Sequence, residues 1–505
     1  MEWNLVLPEL IVAGTGLGVL LLDLFLTGGG RGRRAVGYTG LAGLAAALAA
    51  ALRLMPAAGR GELAGPFWQG MVVGDQFAVL FKVLFLAVGL VVLMLAVDFV
   101  ERRRIPAGEF TALVLFAVLG MMLMGGSRDL IVIYLGLETT AVASYVLAGL
   151  LRDDVRSGEA AIKYFLTGAL ASAVILFGMS LVFGGLGSTS LPNASALAEG
   201  FAGAGPSAAT AVASPLLLAV GLVLLVAGFG FKVAVVPFHF WAPDAYEGAP
   251  TPVTAFFSVG PKAAAFAVML RVFGPFLTMV PVTGVEGKAF ALLPSLFAVL
   301  AVLTMTVGNL VALVQRNIKR MLAYSSVAHA GYILVGLAVA TPRGLAAVVY
   351  YLLAYAAMNL GAFAVVIWLN NRGTGDEVDD YVGLSQRAPL AAAALLAAFV
   401  SLIGIPPTAG FFGKFYLFMA AVEANMAWLA VLMVVNTAIS VGYYYAVVRN
   451  MYLQPEAERG ARAAGQLPAT PLVGTALGAT VVAVLALGLL FEPLARLAGL
   501  ACGGL

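Results

Sequence analysis

Apolar runs long enough to cross a bilayer alternate with short polar breaks from one end of this chain to the other. A transmembrane helix needs about 20 predominantly apolar residues. By that measure spans are predicted near 5–26, 36–56, 76–99, 108–125, 129–151, 158–187, 214–246, 252–273, 289–314, 317–340, 344–370, 388–422, 426–453 and 470–496, fourteen in all. Two of them, 214–246 and 388–422, are too long for one crossing and carry Gly and Pro in their middles, so each predicts an interrupted helix. The first span begins Met-Glu, lacks a basic leading segment and is long enough to cross, so it reads as a retained helix and not as a signal peptide. The 188–213 connection, rich in Gly, Ala and Ser with Pro192 and Pro206, predicts a flexible outer loop. The 371–387 segment is the most charged stretch of the chain. It and the 454–469 linker predict cytoplasmic connections.

Composition sharpens this picture. Of 505 residues, 62% are hydrophobic and 10% charged, and the mean hydropathy is +1.01. A soluble domain is about 45–50% apolar and about 25% charged. The fold class is therefore an all-α polytopic membrane protein, and a soluble enzyme or a disordered chain is excluded. A net charge of +3 is too small to imply nucleic acid. Two His and one Cys leave no basis for a zinc site, an iron–sulfur cluster, a bis-His haem or a disulfide framework in this chain. The chemistry left open is that of protons, ions or a small solute.

The basic residues give the spans a direction. With the N-terminus outside, the inner loops hold Arg31, Arg33, Arg34, Arg102, Arg103, Arg104, Arg152, Arg156, Arg316, Lys319, Arg320, Arg372, Arg387, Arg449, Arg459 and Arg462. The outer segments hold Arg53, Arg60, Arg128, Arg271, Lys288, Arg343 and Arg496. The excess follows the positive-inside rule, so both termini are expected outside. Five basic residues remain within spans, namely Lys82, Lys163, Lys232, Lys262 and Lys414, and all are lysines. Arg stays charged at any working pH, whereas a buried Lys can release its proton. A charged Lys at a helix centre costs about 2.5–3.5 kcal/mol on insertion scales, an odd expense for a passive scaffold. Among the acids, Glu9 and Glu138 lie inside spans, and Asp23, Asp75 and Asp98 lie nearer the ends.

The chain also resembles itself. At an offset of 187, Tyr145-Val-Leu-Ala-Gly-Leu150 matches Tyr332-Ile-Leu-Val-Gly-Leu337, and Arg156, Ala160 and Tyr164 fall on Arg343, Ala347 and Tyr351. At an offset of 182, Gly228-Phe-Gly-Phe-Lys232 resembles Gly410-Phe-Phe-Gly-Lys414. Five spans separate the copies, an odd number, so the copies are expected in opposite orientations, the inverted repeat of many ion-coupled transporters. The expected division is 1–107 for helices 1–3, 108–273 for the first repeat, 289–453 for the second and 454–505 for a linker and helix 14. Each copy carries a Lys in its interrupted helix. Broken backbone is tolerated in a membrane only where it is buried in protein or lines water, so a break plus a Lys predicts a hydrated cavity at mid-depth.

Burial favours the neutral amine and a neighbouring carboxylate favours the ammonium, so a row of lysines biased by Glu138 can titrate as a system and pass protons laterally. In this reading Glu138 biases one end, Lys232 and Lys262 carry the middle, and Lys414 faces the exit. A Lys paired with Glu138 would be held protonated. For His239, a proton relay and a structural hydrogen bond to a loop stand side by side. His329, at mid-span, reads as a relay. Lys163 is an input site or a snorkelling side chain. Lys82 and Glu9 read as interfacial or structural. Tyr324, Ser325, Ser326, Thr139 and Thr140 could line a water wire or simply pack helices.

The stretch from Gly228 through HFWAPDAYEGAPTPVTAF to Ala267 resembles the signature region of the antiporter-like subunits of respiratory complex I, its subunit N members in particular. Lys163-Tyr-Phe-Leu-Thr-Gly168, the run from Arg320 to Ile333 and the run from Ile403 to Tyr416 carry the same likeness, which extends along essentially the whole chain. The resemblance implies fourteen helices in two inverted five-helix repeats, with Glu138, Lys232, Lys262 and Lys414 as the proton-translocating residues. Lys414 fits subunit N or L, because subunit M has glutamate there. Lys163-Tyr-Phe and Tyr246-Glu-Gly-Ala-Pro-Thr-Pro favour N over L. It implies proton translocation in a bacterial inner membrane with no cofactor in this chain. FMN, iron–sulfur clusters and quinone are expected in partner subunits. The implied neighbours are other complex I subunits, especially antiporter-like and small membrane subunits, within the lipid bilayer. An Mrp-type cation/proton antiporter subunit, an energy-converting hydrogenase membrane arm and an independent solute symporter are the competing readings, and the first two share the fold.

Overall fold

The computed structural model describes residues 2–26, 30–63, 67–193, 195–197, 214–279, 290–454 and 471–503. Most of the 188–213 loop and almost all of the 454–469 linker lie outside the described residues, as does Lys288. The described residues form helices and turns with only isolated β-bridges. The helices are α1 (Glu2–Phe25), α2 (Gly30–Gly59), α3 (Gln76–Arg102), α4 (Ala107–Gly125), α5 (Leu130–Ala148), α6 (Val155–Leu186), α7 (Pro215–Lys232), α8 (Trp241–Gly248), α9 (Thr251–Met279), α10 (Leu292–Ala312), α11 (Ile318–Ala338), α12 (Pro342–Asn370), α13 (Pro389–Ile403), α14 (Ala409–Glu423), α15 (Ala427–Tyr452), α16 (Pro471–Leu489) and α17 (Phe491–Cys502). A short helical turn, Leu384–Arg387, precedes α13.

Thirteen of these helices are long and apolar enough to cross a membrane. The fourteenth predicted crossing, 388–422, is two 15-residue halves, α13 and α14, each too short alone. The other predicted interruption is α7 followed by α8. The last predicted span, 470–496, divides: α16 crosses, and α17 is a separate helix after a break at Leu490.

The polar breaks between apolar runs are largely helix caps. The carboxylates of Asp75, Asp129 and Asp154 accept backbone N–H groups at the starts of α3, α5 and α6, and Asn317 does the same for α11. Such a cap supplies about 1 kcal/mol by satisfying donors the helix leaves free. Close helix pairs are set by small residues, as expected where lipid removes any hydrophobic drive between helices. A Cβ on Gly136 would lie 2.6 Å from the Gly120 carbonyl, joining α5 to α4, and one on Gly221 would lie 2.9 Å from the Gly178 carbonyl, joining α7 to α6.

Helices α9, α11 and α12 are almost wholly enclosed by protein, whereas α1, α2, α15 and α16 leave most of their surface free. Leu17, Leu21, Leu166, Leu170 and Phe177 are among the exposed apolar side chains of the outer helices. The same helix pairs pack twice: α4 on α5 as α10 on α11, α5 on α6 as α11 on α12, α6 on α7 and α8 as α12 on α13 and α14, and α4 on α9 as α10 on α15.

Ion pairs gather at the two ends of the bundle. At one end Arg34 meets Glu101, Arg152 meets Glu109, and Arg156, Lys163 and Arg320 share Glu159, Asp244 and Glu247. At the other, Arg271 meets Asp75 and Arg343 meets Glu423. The charged 371–387 segment is a folded cap on the first end: Ile318 N donates to Asp376 O, Val378 N to Arg316 O and Gly383 N to Asn450 O.

Two basic residues lie deeper than their expected loops. Arg271 belongs to α9 and is buried. The intramembrane basic set is thus not all lysine; the arginine is held there by a bidentate carboxylate. Lys319 is buried in the first turn of α11, with Nζ donating to Ala249 O at 2.9 Å.

Candidate functional site

Three lysines stand in the enclosed middle of the bundle or beside its breaks, and their partners differ. Lys232 is the last residue of α7. There the chain leaves the helix through Ala234, at a left-handed φ of 60°, and through Pro237 to the start of α8. Helix carbonyls freed by the break find new donors: Trp241 Nε1 binds Phe231 O at 3.0 Å, and Val235 N binds Gly230 O at 2.7 Å. Trp241 is itself stacked on Tyr164, with ring centroids 4.4 Å apart. The break is thereby rigid, and it puts a cation at a helix C-terminus, where the backbone dipole favours it. Lys232 Nζ donates to Ser172 Oγ at 3.3 Å and to Tyr145 Oη at 3.4 Å.

Lys262, in mid-α9, donates to Ser326 Oγ at 2.5 Å and lies 5.7 Å from the Tyr246 ring centre. Lys414, in the second turn of α14, reaches back across its own break. Its Nζ donates to Leu402 O at 3.0 Å and Ile403 O at 2.9 Å, the last carbonyls of α13, and lies 4.6 Å over the Tyr332 ring. Gly404, at φ 93°, ends α13 with its N–H on Val400 O. Gly410 then passes so close that a Cβ there would collide with the Ser401 carbonyl and lie 2.7 Å from Met358 Sδ. Gly410→Val is accordingly expected to push the halves of this helix apart, at about 1–3 kcal/mol for overpacking, and to lower the amount of assembled protein in membranes.

The two lysines flanked by glycine do not occupy equivalent places. Gly228–Lys232 is the last turn before one break, whereas Gly410–Lys414 lies just after the other. The offset of 182 therefore pairs residues on opposite sides of their breaks. The offset of 187 pairs better: Tyr145 hydrogen-bonds Lys232 and its counterpart Tyr332 lies under Lys414.

Glu138 is not ion-paired with Lys232. It lies seven residues before Tyr145 on α5, about 10 Å along the helix axis. Its Oε1 is buried without a hydrogen-bond partner among the described residues.

His329 is buried on α11, with Nδ1 2.7 Å from Tyr351 Oη and Nε2 3.5 Å from Tyr444 Oη. Tyr444 Oη is in turn 2.5 Å from Ser325 Oγ. His239 is half-buried in the first break, its ring 6.4 Å from that of Tyr324, and its Nδ1 lacks a partner. Lys163 stands apart. Its half-exposed ammonium is bound by Asp244 at 2.6 Å and Glu159 at 2.6 Å in the surface ion cluster. Thr139 and Thr140 bond helix carbonyls and serve packing. Lys82 forms a buried ion pair with Glu9 at 2.8 Å, away from the other lysines.

The tyrosines around the lysines were not singled out from the sequence, Tyr324 aside. A periodic signal was available: Tyr145 and Tyr332 are repeat counterparts, as are Tyr164 and Tyr351. Tyr444 carried none.

Residues 127–440 match the model of the family described as NADH:quinone oxidoreductase/Mrp antiporter, transmembrane. The chain belongs to this family of antiporter-like membrane subunits. It is 51% identical over 461 residues to NADH-quinone oxidoreductase subunit N 2 of Symbiobacterium thermophilum, covering 89% of this chain and 87% of that one. A chain of respiratory complex I from Thermus thermophilus with bound aureothin is 35% identical and superposes with a TM-score of 0.77, covering 97% of this chain and 99% of that one. A chain of the Mrp complex from Dietzia sp. shares the fold at 24% identity and a TM-score of 0.81, covering 100% and 98%. Within the family, sequence identity groups this antiporter-like chain with subunit N.

Proposed function

We propose that this chain is a proton-translocating subunit of the membrane arm of NADH:quinone oxidoreductase, moving protons along Glu138, Lys232, Lys262 and Lys414 in response to quinone reduction in partner subunits. The observation that carries the reading is the partnering of Lys232, Lys262 and Lys414. They lie within the bundle, and among the described residues none is paired with a carboxylate. Hydroxyls of Tyr145, Ser172 and Ser326 can donate or accept, so they suit an amine as well as an ammonium. The Leu402 and Ile403 carbonyls accept from an amine or an ammonium, and the Tyr332 ring 4.6 Å away adds an attraction for the charged form. Proton release at the first two lysines strands no charge, and a proton arriving at Lys414 meets a site shaped for it.

Residues 108–273 and 289–453 act as two inverted repeats, a view supported by the duplicated helix pairings and by Tyr145 and Tyr332 beside their lysines. Both termini face outward in a bacterial inner membrane. Positive-inside loops support this, as does the separation of ion pairs: Arg34–Glu101 and Arg320–Asp244 join expected inner residues, and Arg271–Asp75 and Arg343–Glu423 expected outer ones. The partners are the other subunits of the complex, including neighbouring antiporter-like and small membrane subunits, and FMN, iron–sulfur clusters and quinone belong to them.

Affinity purification in mild detergent, followed by mass spectrometry and NADH:quinone assay, tests the reading. Flavin and iron–sulfur subunits with redox-driven proton uptake in vesicles are the expected result. Recovery with antiporter-like partners alone would replace it with Mrp-type exchange, and hydrogenase subunits would replace it with an energy-converting hydrogenase arm.

A further inference from the structure

Between Lys262 and Lys414 the bundle holds a chain of side chains that the lysine pathway does not itself use. Lys262 Nζ meets Ser326 Oγ at 2.5 Å. Ser325, the residue before Ser326 on α11, has no hydrogen bond to it among the described residues; its Oγ is 2.5 Å from Tyr444 Oη, which is 3.5 Å from His329 Nε2. His329 Nδ1 is 2.7 Å from Tyr351 Oη. The Tyr351 ring lies against Gly413, the residue before Lys414, where a Cβ would come within 2.7 Å of it. All the polar members of the chain are buried. Three helices contribute, α11, α12 and α15, and α15 is a helix to which no lysine of the pathway belongs.

We infer that Tyr444 and Tyr351 carry the proton on either side of His329 in the step between Lys262 and Lys414. The inference rests on the lysine reading above and adds its central carriers. A neutral imidazole has one N–H donor and one acceptor nitrogen. With the acceptor at Nε2, His329 takes the Tyr444 hydroxyl proton as Tyr444 takes one from the Ser325 side. It gives its Nδ1 proton to Tyr351, which passes its own toward Lys414. Each hydroxyl oxygen from Ser325 to Tyr351 gains one proton and loses one; a water molecule at each end would carry the proton from the Lys262–Ser326 pair to Ser325 and from Tyr351 to Lys414, so that Lys262 ends as the amine and Lys414 as the ammonium. His329 ends in the opposite tautomer. A second proton in the same direction must wait until the ring and hydroxyls have turned back, so the device passes one proton at a time.

Phenylalanine tests this with little change of shape. Tyr444→Phe keeps the ring that packs on Phe399 at 5.0 Å and Tyr351→Phe keeps the ring against Gly413. In the assembled complex in vesicles, each variant is expected to lower redox-driven proton uptake about a hundredfold or more, the scale of losing one positioned proton carrier, and to alter the solvent deuterium isotope effect. Tyr350→Phe, whose hydroxyl donates to Leu487 O off the chain, is expected to pump like the parent. Lys262→Ala is measured alongside. Normal pumping by assembled Tyr444→Phe and Tyr351→Phe with a dead Lys262→Ala overturns the tyrosine inference alone. Normal pumping by Lys262→Ala overturns the lysine reading beneath it.

Discussion

Replacing Lys232 with alanine is expected to abolish redox-driven proton uptake while leaving the complex assembled. The ammonium is held by two hydroxyls and no carboxylate, so its removal leaves no unpaired buried charge. The break itself does not depend on Lys232, because Trp241, Val235 and Thr304 supply its hydrogen bonds. The fold should therefore survive and the chemistry should not. Loss of one positioned acid–base group is worth about a hundredfold or more in the step it serves. Lys232→Arg should not restore it, since a guanidinium satisfies the same hydroxyls and keeps its proton. The measurement is proton uptake per quinone reduced in vesicles at matched complex content. A fully assembled Lys232→Ala enzyme pumping at the parental ratio would remove this lysine from the mechanism.

Much of this arrangement was legible before any coordinates. Crossings announce themselves by length and apolar content, and both helix breaks were visible as Gly and Pro inside overlong spans. Lysine at depth is costly enough to mark a site, and Lys232, Lys262 and Lys414 indeed lie within the bundle. What the sequence could not supply was partnership. Nothing in a linear pattern says that Lys414 would bind carbonyls of the preceding half-helix across its break, or that Lys232 would be held by the hydroxyls of Tyr145 and Ser172 and not by the Glu138 carboxylate. Offsets misled for a related reason: glycine-rich turns before and after a break look alike in sequence, though one ends a helix and the other begins one. Exposure was illegible too. Lys163 sits in a span by position but reaches a surface cluster, while Lys319 and Arg271 were assigned to loops and are buried.

That buried arginine carries the second large effect. Arg271→Leu is expected to destabilise the bundle by about 3–5 kcal/mol, the cost of stranding one member of a buried ion pair. Arg271 Nη1 and Nη2 bind Asp75 Oδ2 and Oδ1 at 2.5 and 2.7 Å, and the guanidinium lies 4.5 Å over Phe77. The same carboxylate caps α3 through the Ala78 N–H at 2.8 Å. One acid thus ties the start of α3 to α9, nine residues beyond Lys262, about 13 Å along the helix. Burial alone would raise the Asp75 pKa, but the Arg271 guanidinium and the Ala78 N–H outweigh it and hold the carboxyl below the usual range. A group whose pKa is lowered by folding stabilises above its unfolded value, about pH 4, and loses that contribution as pH falls through the folded one. The clasp should therefore hold through mild acidification and open only in strong acid. Asp75→Asn, which cannot titrate, should remove this part of the acid limb from a plot of stability against pH. Because each single variant leaves the other charge buried, Asp75→Asn with Arg271→Leu should cost less than the two single losses added together. Thermal unfolding of the purified complex in detergent measures all three variants. Simple additivity, or an unchanged acid limb in Asp75→Asn, would mean that the pair contributes nothing to holding the Lys262 helix in place.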